Sequence, residues 1–410
     1  MKTKLLVACI FSITLITIMA VASHQHLNID NESLPPVRPA ETKPLPLTVI
    51  NTVAHKPKIE LVFALDTTGS MSGMINAAKE KIWSIASTMA AAKPTPDIRI
   101  GLVAYRDRGD DYITQRVDLS ADLDSVYAAL LDFTAAGGGD GPESVNAALY
   151  DSVNRMSWSQ DPNSYKVIFL VGDAPGHNDY QDDIPYTTTL SNAAQKGIIV
   201  NTIQAGRNTM TTRAWKKIAA LGSGNNFQVD QQGGALAIST PYDQSIAEVS
   251  RELDDTRVYY GTPEEKKIQL RNRQATNKLH TSSTSSSLAR RAKFNLSEGG
   301  KQNFAGNGEL LQALENNEIK LENIEKEQLP EAMQTMELAQ REKFVQQKMA
   351  QRKNIKRQLV TLSEKRDAYI KKQLAKSKDA KNSLDEKLLA TIKKQAQSKG
   401  LDYEDTENSY

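Results

Sequence analysis

Apolar runs alternate with amphipathic stretches between residues 58 and 256. Continuous apolar runs, typical of strands buried on both faces, occur at 59–65, 98–105, 166–171 and 198–203, with a short one near Phe227. Helical periodicity is found between them, at 71–89, 125–131, 142–156, 189–196, 210–221 and 243–253. Strands that alternate with helices in this way predict an α/β fold, a doubly wound and mostly parallel sheet with helices on both faces.

The first apolar run ends in a loop rich in oxygen-bearing side chains, Asp66-Thr67-Thr68-Gly69-Ser70-Met71. Asp66 lies at the carboxyl edge of the predicted sheet, where ligands collect in folds of this class. Thr68 and Ser70 follow at two-residue steps, so their hydroxyls can turn toward the same point, and Gly69 allows a tight bend. Carboxylate and hydroxyl oxygens are the hard ligands that a small divalent cation requires. The same residue types also form ordinary helix caps, so this loop by itself leaves both interpretations open.

Two later loops present further carboxylates. The glycine-rich segment 137–144 carries Asp140, and Pro142 in it predicts a helix start at that position. The apolar strand 166–171 leads to Asp173. Because the carboxyl ends of parallel strands lie at the same edge of a sheet, we expect the three loops to converge there.

These motifs, in this order, resemble the von Willebrand factor A domain and its metal-ion-dependent adhesion site. Tyr105-Arg106-Asp107 and the Gly-Gly-Gly-Asp-Gly-Pro-Glu run resemble the subgroup found in alpha-kinase-linked and hemicentin-like proteins, although no kinase signature accompanies them in the sequence. The resemblance covers about residues 56–256 and implies a Rossmann-like fold. It also implies five metal ligands: Asp66, Thr68, Ser70, Asp140 and Asp173. Thr68 stands where serine is commoner, and Asp140 stands where threonine is commoner, which adds negative charge.

The resemblance implies a function in recognition and not in catalysis. The site would hold Mg²⁺ or Mn²⁺, and an open coordination position would accept a carboxylate from a partner protein. Two alternatives stay open: a metal-assisted hydrolase of phosphate esters or peptides, and a structural envelope protein whose site is empty. His177 follows Asp173 by four positions, but no motif places a nucleophile beside it, so we interpret it as a residue of the site rim.

Composition excludes several other classes of function. The chain has 410 residues with 51 basic and 49 acidic side chains, a net charge of +2 and an aromatic share of 6%, which gives no argument for nucleic-acid binding. Its single cysteine, Cys9, excludes a disulfide framework.

The N-terminal region has the pattern of an export signal. Lys2 and Lys4 precede an apolar stretch at 5–22 that ends in Ala20-Val21-Ala22, a small-x-small cleavage site. We therefore predict a signal peptide at 1–22 and an exported protein of the periplasm, the cell envelope or the medium. The stretch also approaches the length of a membrane span, so an uncleaved anchor is the alternative. Residues 23–57 are proline-rich and predict an extended linker.

The C-terminal part changes in character. We predict a linker with a Ser/Thr-rich segment at 257–308, a charged helical extension at 309–400 and an acidic tail at 401–410. The extension has only a thin apolar stripe and resembles the helical extension that follows the A domain in some bacterial exported proteins. It predicts a solvated helical stalk, a coiled coil or a small bundle, with partner binding or self-association as the alternative.

Overall fold

The computed structural model describes residues 56–139, 141–232, 238–376 and 384–403, without the side chains of 384–387. The predicted signal peptide or anchor at 1–22, most of the linker at 23–57 and the end of the acidic tail lie outside the described residues. Asp140 also lies outside them. The apolar stretch 5–22 and the localisation inferred from it therefore stay predictions.

A six-stranded sheet lies at the centre of the fold, in the order β3-β2-β1-β4-β5-β6. Its strands are β1 (Lys58–Asp66), β2 (Asp97–Tyr105), β3 (Thr114–Ser120), β4 (Tyr165–Gly172), β5 (Ile198–Ala205) and β6 (Ser223–Val229). All neighbouring strands are parallel except β2 and β3, which are antiparallel. The predicted mostly parallel α/β fold is thus confirmed. The edge strand β3 is not predicted, because it is largely polar and only Leu119 in it is buried.

Helices cover both faces of this sheet. They are α1 (Ser72–Ala90), α2 (Leu123–Asp132), α3 (Val145–Asn154), α4 (Tyr186–Gln195), α5 (Thr209–Leu221) and α6 (Asp243–Asp254). Successive side chains of β1 point to opposite faces, so that Leu61 and Leu65 join the core under α1 and α2, whereas Val62 and Ala64 join the core under α3, α4 and α5.

Helix α3 begins at Val145 and not at Pro142, where the sequence predicts its start. Of the two residues between them, Glu143 forms a β-bridge: its backbone N–H donates to the Pro175 carbonyl, and its own carbonyl accepts from the His177 N–H. These hydrogen bonds to a distant loop replace the first helical turn.

Residues 257–308, a predicted linker, form helices that pack against the sheet domain. They are α7 (Pro263–Ser282), α8 (Ser285–Leu296) and the short α9 (Lys301–Ala305). Thr262 and Glu265 form a capping box at the start of α7, and Thr284 caps α8. Helix α8 contacts α1 and α6, and α7 contacts α2. The described residues from 56 onward belong to one compact unit, so the predicted boundaries at 257 and 309 do not separate compact parts.

The C-terminal extension consists of α10 (Leu310–Glu315), two short 3-10 turns, the 37-residue α11 (Leu338–Leu374) and α12 (Leu384–Gln397). Helix α11 packs on α6 and α8. Leu388, Leu389 and Ile392 of α12 belong to the same core as β1 and α1, so this helix is part of the folded body. Among the described helices, none is both long enough and apolar enough to cross a membrane.

Candidate metal site

Asp66, the last residue of β1, is fully buried at the carboxyl edge of the sheet. Its Oδ1 accepts hydrogen bonds from the Thr68 backbone N–H at 2.9 Å and from Thr68 Oγ1 at 2.7 Å. Its Oδ2 has no hydrogen-bond partner among the described residues. The loop therefore holds one carboxylate oxygen firmly and leaves the other unsatisfied.

The second loop lies directly on the first. The Gly69 N–H donates to the Gly137 carbonyl at 3.2 Å, and the Ala136 N–H donates to the Thr67 carbonyl at 3.1 Å. Gly137 and Gly138 have φ of +75° and +83°, which glycine adopts easily. Because Asp140 lies outside the described residues, its place next to Asp66 stays a prediction.

The third loop follows β4 and begins with Asp173. The Asp173 carbonyl accepts from Thr211 Oγ1 at 3.0 Å. Gln231 Nε2 donates both to Asp173 Oδ2 at 2.5 Å and to the Ser70 carbonyl at 3.1 Å. The Gln231 side chain thus ties the first loop to the third. Ser70 itself is exposed in a 3-10 turn, at the outer side of the site.

Glu143 is a site residue that the sequence reasoning misses. Its side chain is 3% exposed, and its Oε2 has no hydrogen-bond partner in the described part of the chain. The only sequence signal is its place in the Gly-Pro-Glu run after Asp140. The contacts that bring it to the site come from the loop after β4, more than thirty residues away.

The pKa values of these carboxyl groups are raised. Burial raises the pKa of Asp66 to about 7, although the hydrogen bonds from Thr68 oppose the shift. Burial raises the pKa of Glu143 to about 9, and the nearby carboxylates of Asp66, Asp107, Asp110 and Asp173 add to the effect. Burial, together with Asp66, Glu143 and Asp173, also raises the pKa of the Tyr105 phenol well above its ordinary value. A cation among these groups would offset their mutual repulsion.

The described residues partly fit a divalent cation. In the part of the chain that the structure describes, no three His, Cys, Asp or Glu side chains form a cluster that could hold a metal ion. A site of the predicted kind, however, also uses hydroxyl ligands such as those of Thr68 and Ser70. The unsatisfied buried oxygens of Asp66 and Glu143 fit a cation, since a buried carboxylate oxygen without a partner is costly.

His177 lies on the rim. Its Nδ1 is 2.8 Å from Asp179 Oδ1, its Nε2 is 3.5 Å from Asp107 Oδ2, and its ring stacks on Tyr180 with 4.2 Å between ring centroids. Tyr180 Oη in turn donates to Asp107 Oδ2 at 3.0 Å. These contacts give His177 a place in a polar rim network.

A family model matches the region of the chain that contains the candidate site. The model of the von Willebrand factor A domain matches residues 60–239. The matched residues include strands β2 to β6, most of β1 and the loops of the candidate site. Among curated proteins, the chain is similar to the alpha-protein kinase vwkA of Dictyostelium discoideum, with 30% identity over 122 residues. That alignment covers 29% of this chain and 19% of the kinase.

Solved structures give more distant likenesses. A von Willebrand factor type A protein from Catenulispora acidiphila aligns with a TM-score of 0.33 and 17% identity, over 45% of this chain and 44% of that one. Proximal thread matrix protein 1 of the mussel byssus, solved with a zinc-occupied metal-ion-dependent adhesion motif, aligns with a TM-score of 0.33 and 14% identity, over 43% and 42%. No functional conclusion is taken from likenesses of this size.

Proposed function

We propose that the A domain is a metal-dependent protein-recognition module. Asp66, Thr68, Ser70, Asp140 and Asp173 would hold Mg²⁺ or Mn²⁺, and the ion would accept a carboxylate from a partner protein. The observation that carries the proposal is the fully buried Asp66 Oδ2, which has no hydrogen-bond partner among the described residues.

The solvent exposure of the proposed ligands supports recognition of a partner. Asp66 is buried, whereas Ser70 is exposed and Asp173 is half-buried, so the outer side of the site opens to solvent. Mg²⁺ prefers oxygen ligands and usually keeps several waters. A partner carboxylate could replace such a water without a change in the protein ligands.

Asp66→Asn tests the proposal. The amide keeps the oxygen that accepts from Thr68 but removes the charge, so we expect the variant to fold. Mg²⁺ or Mn²⁺ should raise the melting temperature of the wild type, since a ligand at 100 times its Kd stabilises the native state by about 2.7 kcal/mol. The variant should show no such shift in differential scanning fluorimetry.

Asp179→Asn is the matched control, because it removes a carboxylate of the same rim whose side chain is 73% exposed. It should keep the metal response of the wild type. An unchanged response in Asp66→Asn would contradict the assignment of Asp66 as a ligand.

The two alternative functions make different predictions for the same protein. A metal-assisted hydrolase should turn over a generic phosphate ester such as p-nitrophenyl phosphate when Mg²⁺ or Mn²⁺ is added. A structural protein with an empty site should show no response to the cation. Capture of a partner from envelope extract, with and without a chelator, then tests recognition directly. The extract is the relevant source if the predicted signal at 1–22 exports the protein.

A further inference from the structure

We propose that Glu143 supplies a further carboxylate ligand to the cation of the A domain, from the segment just before α3. This inference rests on the proposed function, since it concerns the same ion. It adds a ligand that the five-residue motif does not contain.

The backbone of Glu143 is fixed against the third loop. Its N–H donates to the Pro175 carbonyl at 2.9 Å, its carbonyl accepts from the His177 N–H at 3.0 Å, and it forms a parallel bridge with Gly176. These contacts fix Glu143, near the end of the loop that carries Asp140, against the loop that follows Asp173. The position is therefore set by rigid main-chain pairing and does not depend on the side chain.

The side chain of Glu143 reaches the first loop. A Cβ atom built on Gly138 would lie 3.2 Å from Thr68 Cβ and 3.7 Å from Glu143 Oε1, so these two side chains flank the same small space. The Glu143 carboxyl group is almost fully buried there, and its Oε2 has no partner in the described part of the chain. A buried carboxylate oxygen normally has a hydrogen bond or a metal ion as its partner.

The surrounding charges favour a cation over a purely structural role. The charges that raise the pKa of Glu143 belong to four carboxylates, and two of them, Asp66 and Asp173, are proposed ligands. Burial raises the pKa of the Tyr105 phenol, and the charges of Asp66, Glu143 and Asp173 add to the effect. Beside the hydroxyls of Thr68 and Ser70, the Glu143 carboxylate would add an oxygen ligand and a negative charge, and affinity in oxygen-ligand sites rises with ligand charge.

Glu143→Gln is the first test, made in the full chain. Glutamine keeps the shape of glutamate, so the metal-free protein should keep its circular dichroism spectrum and melt no lower than the wild type. Its Kd for Mn²⁺, measured by isothermal titration calorimetry, should rise at least tenfold. Asp110→Asn is the matched control: it removes a nearby charge but keeps an oxygen that accepts from the Gly138 N–H. We expect its Kd to change less than threefold.

Glu143→Asp is the second test, because it keeps the charge and withdraws the carboxylate by one methylene. A ligand role predicts a weakened Mn²⁺ affinity here as well, whereas an effect of charge at a distance predicts an affinity close to that of the wild type. Equal Kd values for Glu143→Gln and Asp110→Asn, or an unchanged Kd for Glu143→Asp, would overturn the inference. If the wild type bound no Mn²⁺, the proposed function itself would be wrong. If Asp66→Asn lost Mn²⁺ binding but the Glu143 variants kept it, the proposed function would stand and Glu143 would not be a ligand.

Discussion

Gly172 lies in a tightly packed space behind the candidate site. A Cβ at this position would be 2.5 Å from Tyr105 Oη and 3.1 Å from Asp66 Oδ2. The Tyr105 hydroxyl cannot easily move away, since it donates to the Val171 carbonyl at 3.1 Å inside the core. The residue before Asp173 must therefore lack a side chain for β4 to lie against Asp66.

Gly172→Ala should destabilise the protein by about 1–3 kcal/mol, because one extra methyl group overpacks a closed space. Gly139→Ala is the control: a Cβ there meets no atom within 4 Å, and its φ is not in the left-handed region. Urea unfolding followed by tryptophan fluorescence measures both. Similar midpoints for the two variants would show that the pocket behind Asp66 can relax.

Part of the site can be predicted from local sequence and part cannot. Asp66, Thr68 and Asp173 follow from apolar runs that end in oxygen-bearing residues, since the end of a buried strand fixes where the next side chains lie. Glu143 and Gln231 reach the site through hydrogen bonds to loops far away in sequence. No periodicity or short motif encodes such pairings.

Helix α8 is an element that local sequence also fails to predict. Residues 281–287 are Ser/Thr-rich and predict a break, and a break of only two residues does separate α7 from α8. Ser287, however, is a buried residue of α8, and its Oγ lies 2.8 Å from Tyr127 Oη. The serines are helical because α8 packs on α1 and α6, and tertiary contacts outweigh weak helix propensity.

Arg291 of α8 joins the helices after residue 256 to the sheet domain. Its guanidinium is fully buried and donates to Asp124 of α2 and Asp254 of α6, with Nε 2.6 Å from Asp124 Oδ1 and Nη1 2.8 Å from Asp254 Oδ2. Arg291→Met should cost about 3–5 kcal/mol, because it leaves two buried carboxylates without their main counter-charge.

Lys293→Met is the control on the same helix. Lys293 pairs with Asp367 of α11 at 2.8 Å, but both side chains are partly exposed, so the loss should be about 0–1 kcal/mol. Chemical denaturation of the three proteins in parallel compares the two effects. Equal losses would mean that the buried network contributes no more than a surface ion pair.

At the scale of the whole molecule, the sheet domain and helix α12 share one core. Leu388, Leu389 and Ile392 of α12 pack in the cluster that contains β1 and α1, and Tyr165 Oη of β4 donates to Gln395 Oε1 at 2.8 Å. Residues 309–400 are rich in charged side chains, and this composition alone predicts a solvated helical stalk. The few apolar residues of α12 nevertheless cover one face of the sheet, which local composition does not reveal.

The shared ionic network gives the whole molecule a defined response to acid. Burial would raise the pKa of Asp254, but Arg291, Arg257 and a hydrogen bond to His280 hold it well below the ordinary value of 3.8. Burial and the neighbouring Asp254 would likewise raise the pKa of Asp124. The charge and hydrogen bonds of Arg291, with a smaller effect of Arg257, nevertheless lower it. A lowered native pKa means that the unfolded chain binds more protons, so stability is lost as the pH falls through and below about 4.

Thermal melts at pH 5, 4 and 3 test this response. The raised pKa values of Asp66 and Glu143 act in the opposite direction, because the folded groups stay protonated while the unfolded ones take up protons as the pH falls toward about 3. Both proteins share this effect, so it cancels in their comparison. Asp254→Asn removes one of the lowered groups, so its melting temperature should be lower than that of the wild type at pH 5 but should fall less between pH 5 and pH 3. Parallel curves for the two proteins would place the acid response outside the network that joins α2, α6 and α8.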